Sequence, residues 1–445
     1  MCNEYIVSCC TPRIMELLTK YCIKCNNMHK YEMKIKIKGV NVMSINTEEF
    51  YSILASKMEG SAIREILKLV QNPEVISLAG GMPDPATFPV EDIKKITQKV
   101  LSKNSARALQ YSTTEGLPEL RKCILDHLAK DGNNGELENI IISSGSQQGL
   151  DLVGKVFLNP GDIAIVELPS YLAALNAFHS YGGELAGIPM DDEGMQMDIL
   201  EEKLTRLKKE GKKVKFIYTI SNFQNPAGVT MSLARRKKII EIAHKFNVFI
   251  VEDNPYEKLR FEGEPIPSIY SLDNNGFVIS LGTFSKILCP GLRLAWVLGN
   301  KDIIWKMAIL KQATDLCTCI LTQLIACEYC KSGKLEENIR SNIQIYKKKR
   351  DVILNALDKY FPQEVTWTKP QGGFFVVATL PEYIDTGEMF KEAIEENVAY
   401  VPGGPFFADG KGKNTMRLSF CYPSVEDIDE GIKRLGKVIK KRIKY

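Results

Sequence analysis

The chain has 445 residues, 44% of them apolar and 25% charged, and its formal net charge is +4. This length and composition predict a globular protein with more than one hydrophobic core. The small net charge argues against a nucleic-acid partner, and because no apolar run reaches the length of a bilayer span, we expect no membrane segment.

Residues 1–42 form an N-terminal extension whose order the sequence does not determine. They are rich in Cys, Lys, Met and Asn, show no clear period, and lack the apolar core of a secretory signal. Two interpretations stay open. The extension either lies upstream of a true start at Met43 or forms a small zinc-bound arm that uses Cys22 and Cys25.

Apolar strands alternate with helical stretches through the middle of the chain. A helical pattern begins at Ser61 and ends before Asn72-Pro73. The strands predicted after it are 139–143, 162–167, 214–220, 247–252, 277–281 and 294–298. Such alternation is typical of an α/β fold, in which helices cover both faces of a mainly parallel sheet.

A smaller α+β domain is predicted in the last part of the chain. A charged helical stretch over 334–357 precedes two strand-like segments, 372–377 and 415–420. The boundaries expected for the segment that joins the small domain, for the large domain and for the small domain are 43–88, 89–330 and 331–445.

The twelve cysteines are scattered, as is typical of free thiols in a reducing compartment, so we expect a cytoplasmic protein. Cys327 and Cys330 have the spacing of half a zinc site, but they lie in a helical pattern without neighbouring histidines. A convincing zinc motif has four ligands, so we expect no metal. None of the four histidines stands beside an obvious nucleophile, which argues against Ser-His-Asp catalysis.

One lysine stands at the end of a predicted apolar strand, inside a run of small hydroxyl residues. Thr283 and Ser285 flank Lys286, and Arg293 follows one loop later. Desolvation favours the neutral amine, and the hydroxyls and the arginine are ligands for an anion. A lysine that forms an imine beside a phosphate needs these features, although a surface lysine in a Gly/Pro loop leaves the same local pattern.

Other polar motifs also follow predicted strands, where parallel-sheet proteins bind their ligands. The turn 143–150 leads into a helix whose N-terminus suits a phosphate, or it is an ordinary turn with a serine cap. Tyr171 follows another strand and could stack on a ring ligand. The amide of Asn225 is restrained by Pro226 and could donate to a phenolate oxygen.

Three further residues carry charged or hydroxyl groups that could pair with a bound ligand. Asp253 closes an apolar strand, which is costly unless a cation such as a protonated pyridine is present. Tyr256 follows closely enough to share the phenolate oxygen with Asn225. The fork of Arg417 matches a carboxylate, although a salt bridge is the commoner fate of an arginine.

Taken together and in order, these motifs resemble those of the class I and II aminotransferases, which are pyridoxal-phosphate enzymes of fold type I. The resemblance covers residues from about 50 to 440. It implies a large domain with a mainly parallel seven-stranded sheet and a smaller α+β domain. The segments most similar to the α-aminoadipate and kynurenine aminotransferase group are 76–83, 109–116, 144–151 and 401–407.

The resemblance implies a set of residues that hold pyridoxal phosphate. Lys286 bonds to the aldehyde, Asp253 pairs with the ring nitrogen, and Tyr171 stacks on the ring. Asn225 and Tyr256 hold the ring hydroxyl, and Lys286, Asp253 and Tyr256 are the implied catalytic residues. The phosphate ligands implied in the same way are Gly145, Ser146, Gln147, Thr283, Ser285 and Arg293.

Thr283 and one further residue, Tyr111, carry additional expectations. Thr283 departs from the serine that is more frequent there, but it keeps the hydroxyl, so we expect little effect. Tyr111 would reach the phosphate held by a neighbouring subunit. The resemblance therefore implies a homodimer with a shared active site.

The implied reaction is a ping-pong transamination in amino acid metabolism, of the kind used in biosynthesis. Arg417 and Asn225 would hold the substrate α-carboxylate, with Gly81 beside it. Arg64, in the N-terminal helix, would bind a distal carboxylate or swing aside for an apolar side chain. We therefore expect 2-oxoglutarate as the acceptor, and 2-aminoadipate, aromatic amino acids or leucine as donors.

Two other functions stay open on the sequence. A carbon–sulfur lyase or decarboxylase of the same fold would use the same lysine. A ligand-sensing transcription regulator would need an upstream winged-helix domain of about sixty residues, more than the extension provides.

Overall fold

The computed structural model describes residues 46–58, 60 and 74–443. The chain divides into two compact units, Met1–Ser52 and Ile53–Tyr445. Within the first unit, the structure describes a short 3-10 helix, Thr47–Phe50. The N-terminal extension, the helix expected from Ser61 and the side chain of Arg64 lie outside the described residues.

All the following strands belong to the second unit. In chain order they are β1 Ile76–Ser77, β2 Ile140–Ser143, β3 Ile163–Leu168, β4 Glu184–Asp191, β5 Gly194–Met195, β6 Val214–Thr219, β7 Phe249–Asp253, β8 Val278–Thr283, β9 Ala295–Leu298, β10 Thr366–Trp367, β11 Phe375–Thr379, β12 Val398–Ala399, β13 Val401–Pro402 and β14 Thr415–Ser419.

The helices of this unit alternate with the strands of the large sheet and then gather towards the C-terminus. They are α1 Ile53–Lys57, α2 Val90–Ala108, α3 Pro118–Leu128, α4 Ser146–Phe157, α5 Leu172–His179, α6 Met197–Lys209, α7 Leu233–Phe246, α8 Ile269–Leu272, α9 Lys301–Asp315, α10 Ile320–Lys331, α11 Lys334–Tyr360, α12 Thr386–Glu395 and α13 Val425–Arg442. Short 3-10 helices are Pro85–Thr87, Ala129–Asp131, Leu137–Asn139, Pro290–Leu292 and Gly404–Phe406.

The large sheet has the order β2-β9-β8-β7-β6-β3-β4-β5. The five strands from β8 to β4 are parallel, whereas β9 runs antiparallel to both of its neighbours. The predicted α/β class is confirmed, and all six predicted strands are present. Only the sheet size differs from the expected seven, because the two-residue β5 adds an eighth strand by folding back on β4.

Strand β4 was not predicted from the sequence, because most of its residues are partly exposed and Ile188 is its one buried position. The interior strands bury both faces, as their continuous apolar runs predict. On β3, Ala164 and Val166 pack in a core with α4, α5 and α9, while Ile163 and Ile165 pack on the other face with α6 and α7.

A second sheet, β10-β11-β14-β13, is antiparallel throughout and packs with α11 and α13. Helix α13 begins at a serine cap, where Ser424 Oγ accepts a hydrogen bond from the Asp427 N–H at 3.0 Å. Strand β1 pairs with β12, which brings the segment around Ile76 to the C-terminal part of the chain. The boundaries 43–88, 89–330 and 331–445 remain predictions.

Among the described residues, no helix combines the length and apolarity needed to cross a membrane. The same residues include no group of three or more His, Cys, Asp or Glu side chains arranged to hold a metal ion.

Candidate active site

The polar motifs meet at one edge of the large sheet. Because β3, β6, β7 and β8 are parallel, their carboxyl ends open on the same edge, and the residues that follow them become neighbours. The sequence-predicted residues that the structure brings to this edge are Gly145, Ser146, Tyr171, Asn225, Asp253, Tyr256, Thr283, Ser285, Lys286 and Arg293.

Lys286 lies in the turn after β8, which the Thr283 side chain organises. Thr283 Oγ1 accepts a hydrogen bond from the Ser285 N–H at 3.0 Å and lies 3.0 Å from the Ser285 hydroxyl. The Lys286 ammonium donates to the Gly81 carbonyl at 3.0 Å and faces the Phe374 ring at 5.4 Å. The hydroxyl at 283 thus shapes the loop that carries the lysine.

Burial lowers the pKa of Lys286 to about 8, and the charges of Arg417 and Arg293 act in the same direction. A lysine with its ordinary pKa, near 10.5, is almost fully protonated at neutral pH. The shift therefore gives this amine an appreciable neutral fraction, the form that attacks a carbonyl or takes up a proton.

Asp253 is buried at the end of β7 and is only half satisfied. Its Oδ2 accepts a hydrogen bond from the Tyr218 hydroxyl at 2.9 Å, whereas its Oδ1 has no partner. Burial raises the pKa of Asp253 to about 7. A buried carboxylate oxygen without a partner is rare and indicates a place for a ligand cation.

Tyr218 is a site residue that the sequence analysis missed. It stands inside the apolar strand β6, directly across from Val251, and its side chain is fully buried. A hydroxyl at a buried strand position needs a hydrogen-bond partner, which is the signal that the sequence does contain. The partner, Asp253, becomes apparent only when the register between β6 and β7 is known.

Arg417, on β14, is held on several sides. Its Nη1 donates to Asn225 Oδ1 at 3.0 Å and its Nη2 to the Ala79 carbonyl at 2.7 Å, while Nε has no partner. The guanidinium lies 4.3 Å from the ring centroid of Phe375 and 5.1 Å from that of Phe406. Two aromatic rings and two hydrogen-bond acceptors thus fix the Arg417 guanidinium, while its Nε–H remains available to a ligand.

Gly81 adjoins both of these groups. Its carbonyl accepts from Lys286, and a methyl group added at its Cα would lie 2.7 Å from the Phe375 ring. A side chain at this position would therefore displace the ring on which Arg417 rests. The glycine keeps the space between the lysine and the arginine open.

The turn after β2 forms a cradle at the start of α4. Gly145 has φ of +83°, a backbone conformation that favours glycine, and a methyl group at its Cα would overlap the Arg293 guanidinium, which therefore lies directly against this turn. Helix α4 begins at Ser146 without a side-chain cap, and the exposed Arg293 lies beside the preceding Gly145. Backbone donors with an adjacent cation are typical of an anion site.

A polar network that the sequence analysis did not find supports this turn. Asp315 Oδ2 accepts from the Ser144 hydroxyl at 3.1 Å and from Gln148 Nε2 at 2.8 Å. Its Oδ1 accepts from the fully buried Lys311 at 2.7 Å. These contacts hold Ser144 and Gln148, which lie on either side of the cradle, in fixed positions.

Three predicted residues differ in how far they reach into the site. Burial and the charge of Asp253 raise the pKa of Tyr171, so the tyrosine lies in the same pocket as that acid. Gln147 is exposed and its side chain donates to the Ala173 carbonyl at 3.3 Å. Tyr111 is 78% exposed in its own chain, and none of the hydrogen bonds of the site residues above reaches its side chain.

The sequence profile of the family described as aminotransferase class I and II matches residues 73–435. The chain belongs to the class I and II aminotransferases. This aminotransferase is 52% identical, over 415 residues, to aromatic-amino-acid aminotransferase 1 of Thermococcus litoralis. That match covers 93% of this chain and 99% of the relative.

Two solved structures resemble the aminotransferase over nearly their whole length. The kynurenine aminotransferase of Pyrococcus horikoshii, in complex with PMP, is 50% identical with a TM-score of 0.87, covering 90% of this chain and 99% of that one. The α-aminoadipate aminotransferase of Thermus thermophilus, complexed with N-(5′-phosphopyridoxyl)-L-leucine, is 38% identical with a TM-score of 0.83, covering 89% of this chain and 99% of that one. The lyase and regulator alternatives are not favoured.

The enzyme is therefore a pyridoxal-phosphate-dependent transaminase of fold type I. The residues present fit that coenzyme. The unpartnered Oδ1 of Asp253 offers a partner for a ring cation, and the cradle between Gly145 and Arg293 offers donors for a phosphate. Lys286 offers an amine with a lowered pKa.

Proposed function

We propose that this aminotransferase moves the amino group of aromatic amino acids, 2-aminoadipate or leucine to 2-oxoglutarate by a ping-pong mechanism. The observation that carries the proposal is the convergence of Lys286, the half-satisfied Asp253 and the fork of Arg417 at one sheet edge. The donor range follows the names and bound ligands of the related aminotransferases. A place in amino acid biosynthesis is part of the same proposal.

Pyridoxal phosphate supplies an aldehyde and an electron-accepting ring. Lys286 is the proposed proton carrier, because an amine with a pKa of about 8 can take a proton from the substrate Cα and release it again. It would deliver that proton to the carbon of the bound coenzyme that carries the amino nitrogen. Asp253 would hold a proton on the ring nitrogen through its free oxygen. Tyr256 and the Nδ2 of Asn225 would hold the ring hydroxyl, and Tyr171 would cover the ring.

The proposed phosphate site combines the cradle with the turn after β8. Backbone donors at the start of α4, the hydroxyls of that turn and one arginine would share the charge. The residues proposed for it are Gly145, Ser146, Gln147, Thr283, Ser285 and Arg293. Because Gln147 directs its side chain to the Ala173 carbonyl, its backbone N–H is the group available here.

Arg417 is the proposed ligand of the substrate α-carboxylate, with Asn225 beside it and Gly81 leaving room. The free Nε and the fork held between two phenyl rings support this role. Every donor and acceptor carries an α-carboxylate, so this contact is common to all substrates. Discrimination between substrates then depends on the far end of the substrate side chain, and Arg64 is the residue proposed to bind a carboxylate there.

The first experiment is an amino-donor panel with 2-oxoglutarate, read as glutamate formed. We expect turnover with phenylalanine, tyrosine, 2-aminoadipate and leucine. Release of pyruvate and ammonia from cysteine conjugates, without glutamate formation from any donor, would overturn the proposal in favour of a lyase.

The distal clamp is tested with Arg64→Ala on the same panel. We expect kcat/KM for 2-aminoadipate and 2-oxoglutarate to fall, while that for leucine stays close to the original value, because leucine has no distal carboxylate. Equal losses for 2-aminoadipate and leucine would eliminate Arg64 as the clamp.

We also propose a homodimer in which Tyr111 completes the phosphate site of the partner. The support is its 78% exposure in a segment that resembles the family over 109–116. Mixing inactive Tyr111→Ala subunits with inactive Lys286→Ala subunits should restore activity, since one site of the hybrid then has both residues. Failure of the mixed subunits to regain activity, with hybrids demonstrated by native mass spectrometry, would argue for sites built from one chain.

The cytoplasm is the proposed location. Every cysteine within the described residues is a free thiol, which supports a reducing compartment. Cell fractionation with an antibody against the chain would test this.

A further inference from the structure

A second buried acid lies near Asp253 and takes no part in the chemistry above. Glu167 is 1% exposed on β3. Its Oε1 accepts a hydrogen bond from the Thr219 hydroxyl at 2.5 Å, and its Oε2 accepts from the Ile220 N–H at 3.3 Å and from Gln224 Nε2 at 3.0 Å. Burial raises the pKa of Glu167 to about 7.

The amide of Gln224 can face this acid in one orientation only. Its Oε1 accepts from the Ala227 N–H at 2.8 Å, and its Nε2 donates to the Pro169 carbonyl at 2.8 Å. A backbone N–H only donates and a backbone carbonyl only accepts, so these two contacts identify the oxygen and the nitrogen. The nitrogen therefore donates to Glu167, and the carboxyl oxygen that it meets is an acceptor.

Gln224 directly precedes a proposed substrate ligand. The next residue, Asn225, accepts a hydrogen bond from Arg417 Nη1 at 3.0 Å. Gln224 is fully buried and is also tied through its own N–H to the Val229 carbonyl at 2.8 Å. A continuous series of contacts thus runs from β3, through the loop after β6, to the arginine on β14.

We propose that Glu167 is a positioning residue for the substrate carboxylate. By anchoring the Gln224 amide it fixes the backbone of Asn225. Asn225 in turn fixes the guanidinium of Arg417. This inference rests on the proposed function, since it assigns Glu167 to the binding step that all substrates of the enzyme share.

A neighbouring acid provides a matched control. Glu252, on β7, is also fully buried, and it accepts from the Ser221 hydroxyl at 2.6 Å and from the N–H groups of Ile269 and Tyr270 at 2.9 and 3.0 Å. It therefore stabilises the start of α8 rather than the Gln224 side chain. Both acids contact the loop after β6, but Glu252 holds it at the Ser221 hydroxyl, whereas only Glu167 holds the Gln224 side chain next to Asn225.

The experiment compares Glu167→Ala, Glu167→Gln and Glu252→Ala as holoenzymes. The measured quantities are kcat and KM for phenylalanine and for 2-oxoglutarate, and the Kd of 3-phenylpropanoate, which has a carboxylate but no amino group. We expect Glu167→Ala to raise both KM values and this Kd by about tenfold, the effect of losing one hydrogen bond to a charged group. The rise should be similar for donor and acceptor, and kcat should change less.

Glu167→Gln should recover most of the affinity, to within about threefold of the original protein, because its carbonyl can still accept from Ile220 and Gln224. Glu252→Ala should lower the Tm while leaving KM and the 3-phenylpropanoate Kd unchanged. If Glu167→Ala does not fold, Gln224→Ala removes the other side of the same contact and should give the same pattern.

Unchanged KM and Kd in the Glu167→Ala or Gln224→Ala protein, or an equal rise in Glu252→Ala, would overturn the inference. Absence of transamination by the unsubstituted protein would instead overturn the proposed function. The Kd comparison distinguishes the two failures, because 3-phenylpropanoate binding does not depend on turnover.

Discussion

In the protein without coenzyme, the buried Asp253 carboxyl should lower the free energy of unfolding as the pH rises. Burial raises its pKa from 3.8 to about 7, so the folded state favours the protonated acid. The favourable contribution is complete below pH 3.8 and is lost as the pH rises towards 7, because the folded state must then bury the charge. At about 1.36 kcal/mol per pH unit, the loss between pH 5 and pH 8 is about 2–3 kcal/mol.

Asp253→Asn removes this titration. The amide can still accept from Tyr218, but its NH₂ takes the position of the unpartnered oxygen, which costs about 1–3 kcal/mol at any pH. We therefore expect the apo variant to be less stable than the apo original at pH 5. At pH 8 the difference should shrink or reverse, while transaminase activity falls by about 10²-fold or more, since the partner of the ring nitrogen is lost.

The assay is urea denaturation of both apo proteins at fixed protein concentration, at pH 5 and pH 8. Asp162→Asn is the control, because its carboxyl has the opposite behaviour: burial raises its pKa, but hydrogen bonds from Asn159 and Lys215 outweigh this and lower it. The control should lose the same stability at both pH values. Parallel pH dependences for the Asp253→Asn and original proteins would refute the reasoning.

Three other substitutions test the same pocket. Tyr218→Phe removes the hydrogen bond to Asp253 and raises the pKa of Asp253 further. Coenzyme affinity, measured by absorbance titration, should therefore fall about tenfold at pH 7 and by less at higher pH. Arg417→Lys keeps the charge but loses the fork, so KM for donor and acceptor should rise together by about 10-fold or more in steady-state assays. Lys286→Ala should lose about 10²–10⁴-fold in turnover and the borohydride-stable label at position 286 in a peptide map.

Much of the fold is determined by local pattern. The apolar runs that became β3, β6, β7 and β8 bury both faces, and runs of that kind alternating with helices leave few arrangements other than a parallel sheet. Strand β4 does not follow this rule, because it lies towards the edge of the sheet and its residues are partly exposed.

The sequence by itself determined which chemical groups stand at the ends of those strands, since Asp253, Lys286 and the Gly145 turn each directly follow an apolar run. Only the tertiary structure decided how these groups are satisfied. Tyr218 meets Asp253 through the register of two strands, and Arg417 meets Asn225 across 192 positions of the chain. Hydrogen-bond partners that lie on different strands are set by strand register and packing, which no local pattern contains.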